Sequence, residues 1–275
     1  MKHSELPHHV RDSFHAPDTP AQQLGAAWDY GWRVGDIVFS QVPYPDRAGW
    51  SARIRENLQP HGLRIVRPIR STDGRFVNDG WRANTYVVGV LTKRVDETVV
   101  AALRLDEALA KVEVPESFAQ VDRNNVFSLA DALAWSSDPL AQIDNLDPMV
   151  PAHETAIALV PKIVSHVHPI SGSRQVTHAD MFATTIYAGN NAPTVTDIIG
   201  VAHPQGYTAA QTIVDGLLFE AVDQQIIHRF EHIPHIRQLL LRSVLYRIFV
   251  HALHPEAKSN SGTNLEWVAN IIMST

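Results

Sequence analysis

The sequence predicts an α+β protein of two lobes. Short β-branched and aromatic runs crowd between Trp28 and Gly89. Helical periodicity dominates after Thr92, and one small hairpin interrupts it near residues 176–197. At 275 residues the chain can build one large domain or two small lobes around a shared cleft.

Residues 1–23 are polar and read as a disordered lead-in. WDYGWRV, DIVFSQV, LRIVRPIRS and RFVNDGWRANTYVVGV follow as strands, separated by Gly, Asp and Pro. Asp73-Gly74 within Ser71–Arg75 predicts a tight hairpin turn, because that pair supplies positive φ angles. Residues 46–59 have helical spacing, with Trp50, Ile54 and Leu58 on one face and Asp46 as N-cap. A β-rich lobe over 1–89 therefore joins a mainly helical lobe over 90–275 near Val88–Thr92. In the second lobe, 96–112 form an amphipathic helix with Val99, Leu103 and Ala110 on a face. Residues 113–150 read as two short helices with loops. Further helices are expected over 152–168, 207–223, 227–253 and 263–274, the last after the loop KSNSGT.

The totals exclude several classes. A net charge of −6 makes the chain a poor generic partner for nucleic acid or an anionic membrane. There are no cysteines, so disulfides and thiolate chemistry are ruled out. No signal-type apolar segment and no apolar run of membrane-spanning length is present, and a cytoplasmic setting is expected. His3, His8, His9 and His15 in the polar lead-in read as loose side chains. His228, Glu231, His232 and His235 read as a solvated face interrupted by Pro234, and His251 and His254 as residues at a helix end. Trp28, Trp32, Trp50 and Trp81 build the small lobe's core, with Trp28 or Trp32 as the alternative stacking platform for an aromatic ligand.

The chemistry concentrates in RQVTHADMFATTIYAGNNAPTVTDIIG, residues 174–200. Ile186–Ala188 and Thr194–Thr196 are strands around an Asn190-Asn191 turn. Two strands joined by a short loop bring their outer ends together, which places Asp180 and Asp197 in one pocket. Two carboxylates there suit two tasks: one orients or deprotonates a hydroxyl, the other binds a divalent metal.

This stretch resembles the catalytic segment of the aminoglycoside phosphotransferase and choline kinase branch of the protein-kinase-like fold. That branch carries His-Gly-Asp-Leu-x-x-x-Asn, a hairpin, then a metal-binding Asp. Here His178-Ala179-Asp180-Met181 matches the first four positions with Gly changed to Ala, and Thr196-Asp197-Ile198 matches the last. The resemblance implies a small-molecule phosphotransferase using ATP and Mg2+. Asp180 would be the base and Asp197 the metal ligand, with His178 holding the catalytic loop and Asp215 bracing it. GWR…GD, RPIRSTDGRFV and RIFVHALHP also resemble a family of actinobacterial kinase-like proteins, which lends a fold and no substrate.

The pattern departs at several places. Thr185 stands where the metal-binding Asn is expected, and Ser40 where the phosphate-anchoring Lys is expected. Arg33, Arg53 and Arg82 are candidate replacements for the Lys. Glu56 is the only acidic residue inside the following helix, a turn late for the usual pairing. The phosphate-covering loop, Gly25 to Gly35, has Trp and Tyr among its glycines. The alternative function is therefore a kinase-like binding or regulatory protein, a pseudokinase.

Overall fold

The computed structural model describes residues 5–141, 146–257 and 261–275; His3 and part of the 258–263 loop lie outside them. The chain divides into two compact units. One comprises residues 1–93, 100–112 and 178–201, the other 94–99, 113–177 and 202–275. The hairpin around Asp180 and Asp197 falls in the first of these units.

The sheet unit opens with α1 (His8–Ser13), which corrects the disordered lead-in. Val10 and Phe14, four residues apart, point the same way from this turn. Both are buried with Val34, Phe39, Trp81 and Ala83, so the segment packs on one face of the sheet. The strands are β1 (Gln22–Gln23), β2 (Trp32–Val34), β3 (Ile37–Gln41), β4 (Arg64–Ile65), β5 (Pro68–Ile69), β6 (Val77–Asn78), β7 (Trp81–Thr85) and β8 (Val90–Leu91). The larger sheet runs β1-β2-β3-β7-β5, and β6 also pairs with β7. Its register sets Ser40 opposite Arg82.

The predicted turn at Asp73-Gly74 forms but joins no hairpin. β5 and β6 pair with successive parts of β7, and residues 70–76 loop out between them. The two-residue hairpin is the next Asp-Gly, Asp79-Gly80, with φ of 49° and 73° between β6 and β7. Two Asp-Gly pairs compete in this stretch, and only the second is flanked by residues in pairing register.

Between β3 and β4 lies α2 (Pro45–Asn57). Pro45 starts it, so Asp46 lies in the first turn and is not the cap. Its buried residues are Ala48, Ser51, Ala52 and Arg55, not the Trp50/Ile54/Leu58 face. A polar buried face defeats a reading based on apolar spacing.

In the rest of the chain, α3 (Val95–Leu109), α4 (Val126–Ala134) and α5 (Pro151–Val164) precede β9 (Gln175–His178). Next come α6 (Met181–Thr184), β10 (Thr185–Tyr187), β11 (Thr194–Val195) and β12 (Gly200–His203). The second sheet runs β4-β11-β10-β8, and β9 pairs with β12. α7 (Tyr207–Leu218), α8 (Ile226–Arg229), α9 (Ile236–Leu253) and α10 (Ser261–Ser274) complete the chain. The expected helix 227–253 is two helices. Pro234 cannot continue a helix, and His235 takes a left-handed φ of 59° before α9 starts.

In the helical unit α9 packs against α4, α5, α7 and α10. Nearly every residue of α7 is buried, as expected of a central helix. Among them is Asp215, 4% exposed, whose two oxygens accept from Nε (2.6 Å) and Nη2 of Arg247 on α9. This pair ties α7 to α9, whereas the sequence reading has Asp215 bracing the catalytic loop. Removing one member leaves a buried charge alone. Asp215→Ala is expected to cost about 3–5 kcal/mol in urea unfolding. A loss below about 1 kcal/mol would contradict the assigned role.

Candidate functional site

The site is knitted by the backbone around β10 and β11. These strands pair antiparallel, Thr185 opposite Val195 and Ile186 opposite Thr194. The Thr196 N–H donates to the Thr184 carbonyl at 2.7 Å, and the Ala179 N–H to the Ile199 carbonyl at 2.9 Å. The Asp180 and Asp197 segments are therefore laced to each other. Asp180 caps the single turn of α6, its Oδ1 accepting from the Ala183 N–H at 3.1 Å.

His178 is fully buried between the two segments. Its Nδ1 accepts from the Ile199 N–H at 2.9 Å, which puts the ring proton on Nε2. That nitrogen lies 2.9 Å from the Asp180 carbonyl and 2.8 Å from Thr184 Oγ1. Burial lowers the His178 pKa and keeps the ring neutral, despite the nearby charge of Asp180.

Asp197 is the centre of the charge cluster. Its Oδ1 accepts from Ser51 Oγ at 2.6 Å and lies 3.3 Å from Arg55 Nε. Its Oδ2 accepts from Arg82 Nη1 at 2.5 Å. Arg55 is fully buried and also donates from Nη1 to the Val66 carbonyl (3.0 Å) and Asn84 Oδ1 (2.9 Å). Burial alone would raise the Asp197 pKa. The charges of Arg82 and Arg55 outweigh it and hold the carboxyl well below the usual range. For Arg55, burial wins and its pKa is pushed down to about 10, partly offset by Asp197. For Arg82, burial is outweighed by Asp197 and Asp29, and the guanidinium is held above its ordinary value.

Ser40, at the expected Lys position, is buried and donates to the Trp28 carbonyl at 3.2 Å. The cation comes instead from the residue opposite. Directly paired residues of antiparallel strands share a face, so Arg82 on β7 reaches where a side chain at Ser40 would start. Of the other two candidates, Arg33 stacks over Tyr86, 3.8 Å from the ring centre. Arg53 is exposed and lines two cavities of about 660 and 450 Å3 beside α2. Glu56 faces away, held by both Nε and Nη2 of Arg70 at 2.9 and 2.8 Å. Its neighbour Arg55 takes the inward place, so this helix presents a cation where the family pattern presents an anion.

The residues present do not fit Mg2+. That ion demands several oxygens in octahedral array. Both oxygens of Asp197 are already engaged, and Thr185 is buried, its hydroxyl 4.0 Å from Met181 Sδ. No group of three or more His, Asp or Glu among the described residues is placed to hold a metal. On the proposed histidine faces, His228 and Glu231 are exposed, and His254 Nδ1 accepts from the Glu256 N–H at the end of α9.

The loop expected to cover phosphates lies against the sheet. Ala26–Trp28 forms a 3-10 turn, and Trp28, 7% exposed, packs with Val38, Val66 and Ile186. A Cβ at Gly31 would come 2.1 Å from the Phe39 carbonyl oxygen, so only glycine permits this approach. Asp29 and Tyr30 both take left-handed φ of 53°. Asp29 Oδ2 accepts from Arg82 Nη2 at 2.5 Å. Trp28 and Trp81 are thus core residues.

No protein-family model matches the chain, and no curated sequence does either. Solved structures do. The chain is similar to an aminoglycoside phosphotransferase from Alicyclobacillus acidocaldarius, at 13% identity over 100% of this chain and 95% of that one, with TM-score 0.60. It is similar to a spectinomycin phosphotransferase bound to AMP, at 11% identity, 97% and 96% coverage and TM-score 0.60. It is also similar to an amicoumacin kinase in complex with AMP-PNP and Ca2+, at 13% identity, 97% and 92% coverage and TM-score 0.59. This likeness shows the fold: the α+β, kinase-like two-lobed fold of the aminoglycoside phosphotransferases.

Sequence reasoning missed Ser51, Arg55 and Asp29. The spacing Ala48, Ser51, Ala52, Arg55 is a helical face of small residues ending in one arginine, and that was the available signal. Arg55→Ala leaves the Asp197 cluster one cation short and is expected to cost about 3 kcal/mol or more in urea unfolding. A loss under about 1 kcal/mol would show that Arg55 does not hold the cluster. A pH test follows from His178. Its folded pKa lies below the unfolded value of about 6.5, so the unfolded chain binds more protons as pH falls. The stability it contributes is present above about pH 6.5 and is lost as pH drops through the folded pKa. His178→Gln should flatten the stability difference between pH 7.5 and 5.5; an unchanged difference contradicts the neutral, buried ring.

Proposed function

We propose that this chain is a kinase-like small-molecule phosphotransferase, moving the γ-phosphate of ATP to a hydroxyl acceptor. The observation that carries this reading is Arg82, which brings a fixed cation onto Asp197 from the strand beside the missing Lys. Phosphoryl transfer is largely a matter of positioning and of neutralising charge on the phosphate oxygens. Arg82 supplies the charge, and its guanidinium suits paired phosphate oxygens better than an ammonium does. Asp180, half-buried at the start of α6, is the group offered to an acceptor hydroxyl. His178 sets that carboxylate through its contact with the Asp180 carbonyl.

The second reading is a nucleotide-binding protein without transfer. The engagement of Asp197 by Ser51, Arg55 and Arg82 favours it, because both carboxylate oxygens there already accept from or pair with protein groups. Both readings keep nucleotide binding, which accords with the nucleotides present in the similar spectinomycin phosphotransferase and amicoumacin kinase structures.

Labelled ATP incubated with a panel of aminoglycosides and polyols separates them. The first reading expects a labelled product, reduced about 100-fold or more in Asp180→Asn. Both expect ATP to raise the melting temperature of the wild type, and Arg82→Ala to remove that shift. Stabilisation without a labelled product from any acceptor selects the second reading. No stabilisation by any nucleotide contradicts both.

A further inference from the structure

Arg82 has three donor positions in this cluster, and they are unequally used. Nη1 donates to Asp197 and Nη2 to Asp29. Nε is buried without a partner, and so is Nη2 of the neighbouring Arg55. Asp197 is an integral member, mostly buried and bonded from three side chains. Asp29 is different. Its side chain is 61% exposed and sits on a loop, and its backbone holds a left-handed conformation that only a few side chains tolerate. Tyr30 repeats that conformation immediately afterwards. A Tyr in this conformation persists only where the surrounding loop is held. Here the carboxylate on Arg82 is one such hold.

Without Asp29, two guanidiniums face one carboxylate. The cluster then has a net positive charge, and Arg82 Nη2 joins Arg82 Nε and Arg55 Nη2 as a third donor nitrogen without a partner. The group that answers both needs is an oxyanion with several acceptor oxygens. We propose that Arg82, backed by Arg55, is an oxyanion site for the phosphate group of a ligand, and that the Asp29 carboxylate occupies it as an intramolecular stand-in. The site uses guanidinium charge where the related fold pattern would use a metal, in line with a donor set that does not fit Mg2+. A phosphate entering it displaces Asp29 and frees the loop over residues 24–31. This inference rests on the nucleotide reading above for the identity of the natural ligand, but the site itself is defined by oxyanion chemistry.

The test uses pyrophosphate and ADP, both with EDTA present, titrated calorimetrically into the full chain. A competing intramolecular anion lowers apparent affinity by the fraction of time it holds the site. Asp29→Asn should therefore bind pyrophosphate at least about fivefold more tightly than the wild type, and Arg82→Ala should bind neither probe. In the wild type, pyrophosphate should speed amide exchange at Leu24, Trp28 and Tyr30, whose N–H groups hold the loop closed. Unchanged affinity in Asp29→Asn overturns the proposal, as does unchanged exchange with pyrophosphate bound. Should Asp29→Asn fail to fold, the wild-type exchange measurement decides alone. If pyrophosphate behaves as expected but ADP binds no better, the oxyanion site stands and the nucleotide reading fails.

Discussion

A carboxylate removed from water must meet compensating charge, and Asp197 meets it twice. Arg82 reaches it from β7 and Arg55 from α2, with Ser51 taking a further lone pair. Much of the sheet unit is arranged around that requirement. The β3–β7 register sets where Arg82 emerges. α2 buries a polar face instead of its larger apolar side chains, because that face must reach Asp197. Arg55 is further tied to the Val66 carbonyl and Asn84, so helix, sheet and hairpin share one cation.

The same cluster gives the site an unusual electrostatic character. In the family pattern an Asp, an Asn and a Lys divide the work between metal and phosphate. Here the Asn position is a buried Thr185 and the Lys position is Ser40, which supports the Trp28 loop. Two guanidiniums stand where the pattern uses a metal, matched here by the carboxylates of Asp197 and Asp29. Neither arginine can give up its proton near neutral pH, so the charge is permanent.

The sequence made the hairpin legible because local chemistry fixed it. Asn190-Asn191 turned the chain, β-branched residues flanked the turn, and Asp197 followed the second strand, while the short helix that Asp180 caps carried no signal of its own. The helical unit was legible from helical periodicity and the apolar length of α9. The arginine cluster was harder to see, because its members are far apart in sequence and meet only through sheet register and helix rotation. Arg82 stood among three candidates, and no local rule favoured it. Arg55 was hidden because apolar periodicity pointed α2 the wrong way. The same weakness turned residues 8–14 into a tail: two buried apolar residues in a polar stretch are a faint signal until a sheet covers them.

Asp197 and Arg82 act as a coupled pair at the centre of this cluster. A double-mutant cycle with Asp197→Asn, Arg82→Ala and the combined variant, read by urea unfolding, measures that coupling directly. An interaction energy of about 1 kcal/mol or more is expected for a mostly buried, hydrogen-bonded charge pair. Additive effects, within about 0.5 kcal/mol, would mean that Arg82 does not hold Asp197 and would contradict the account.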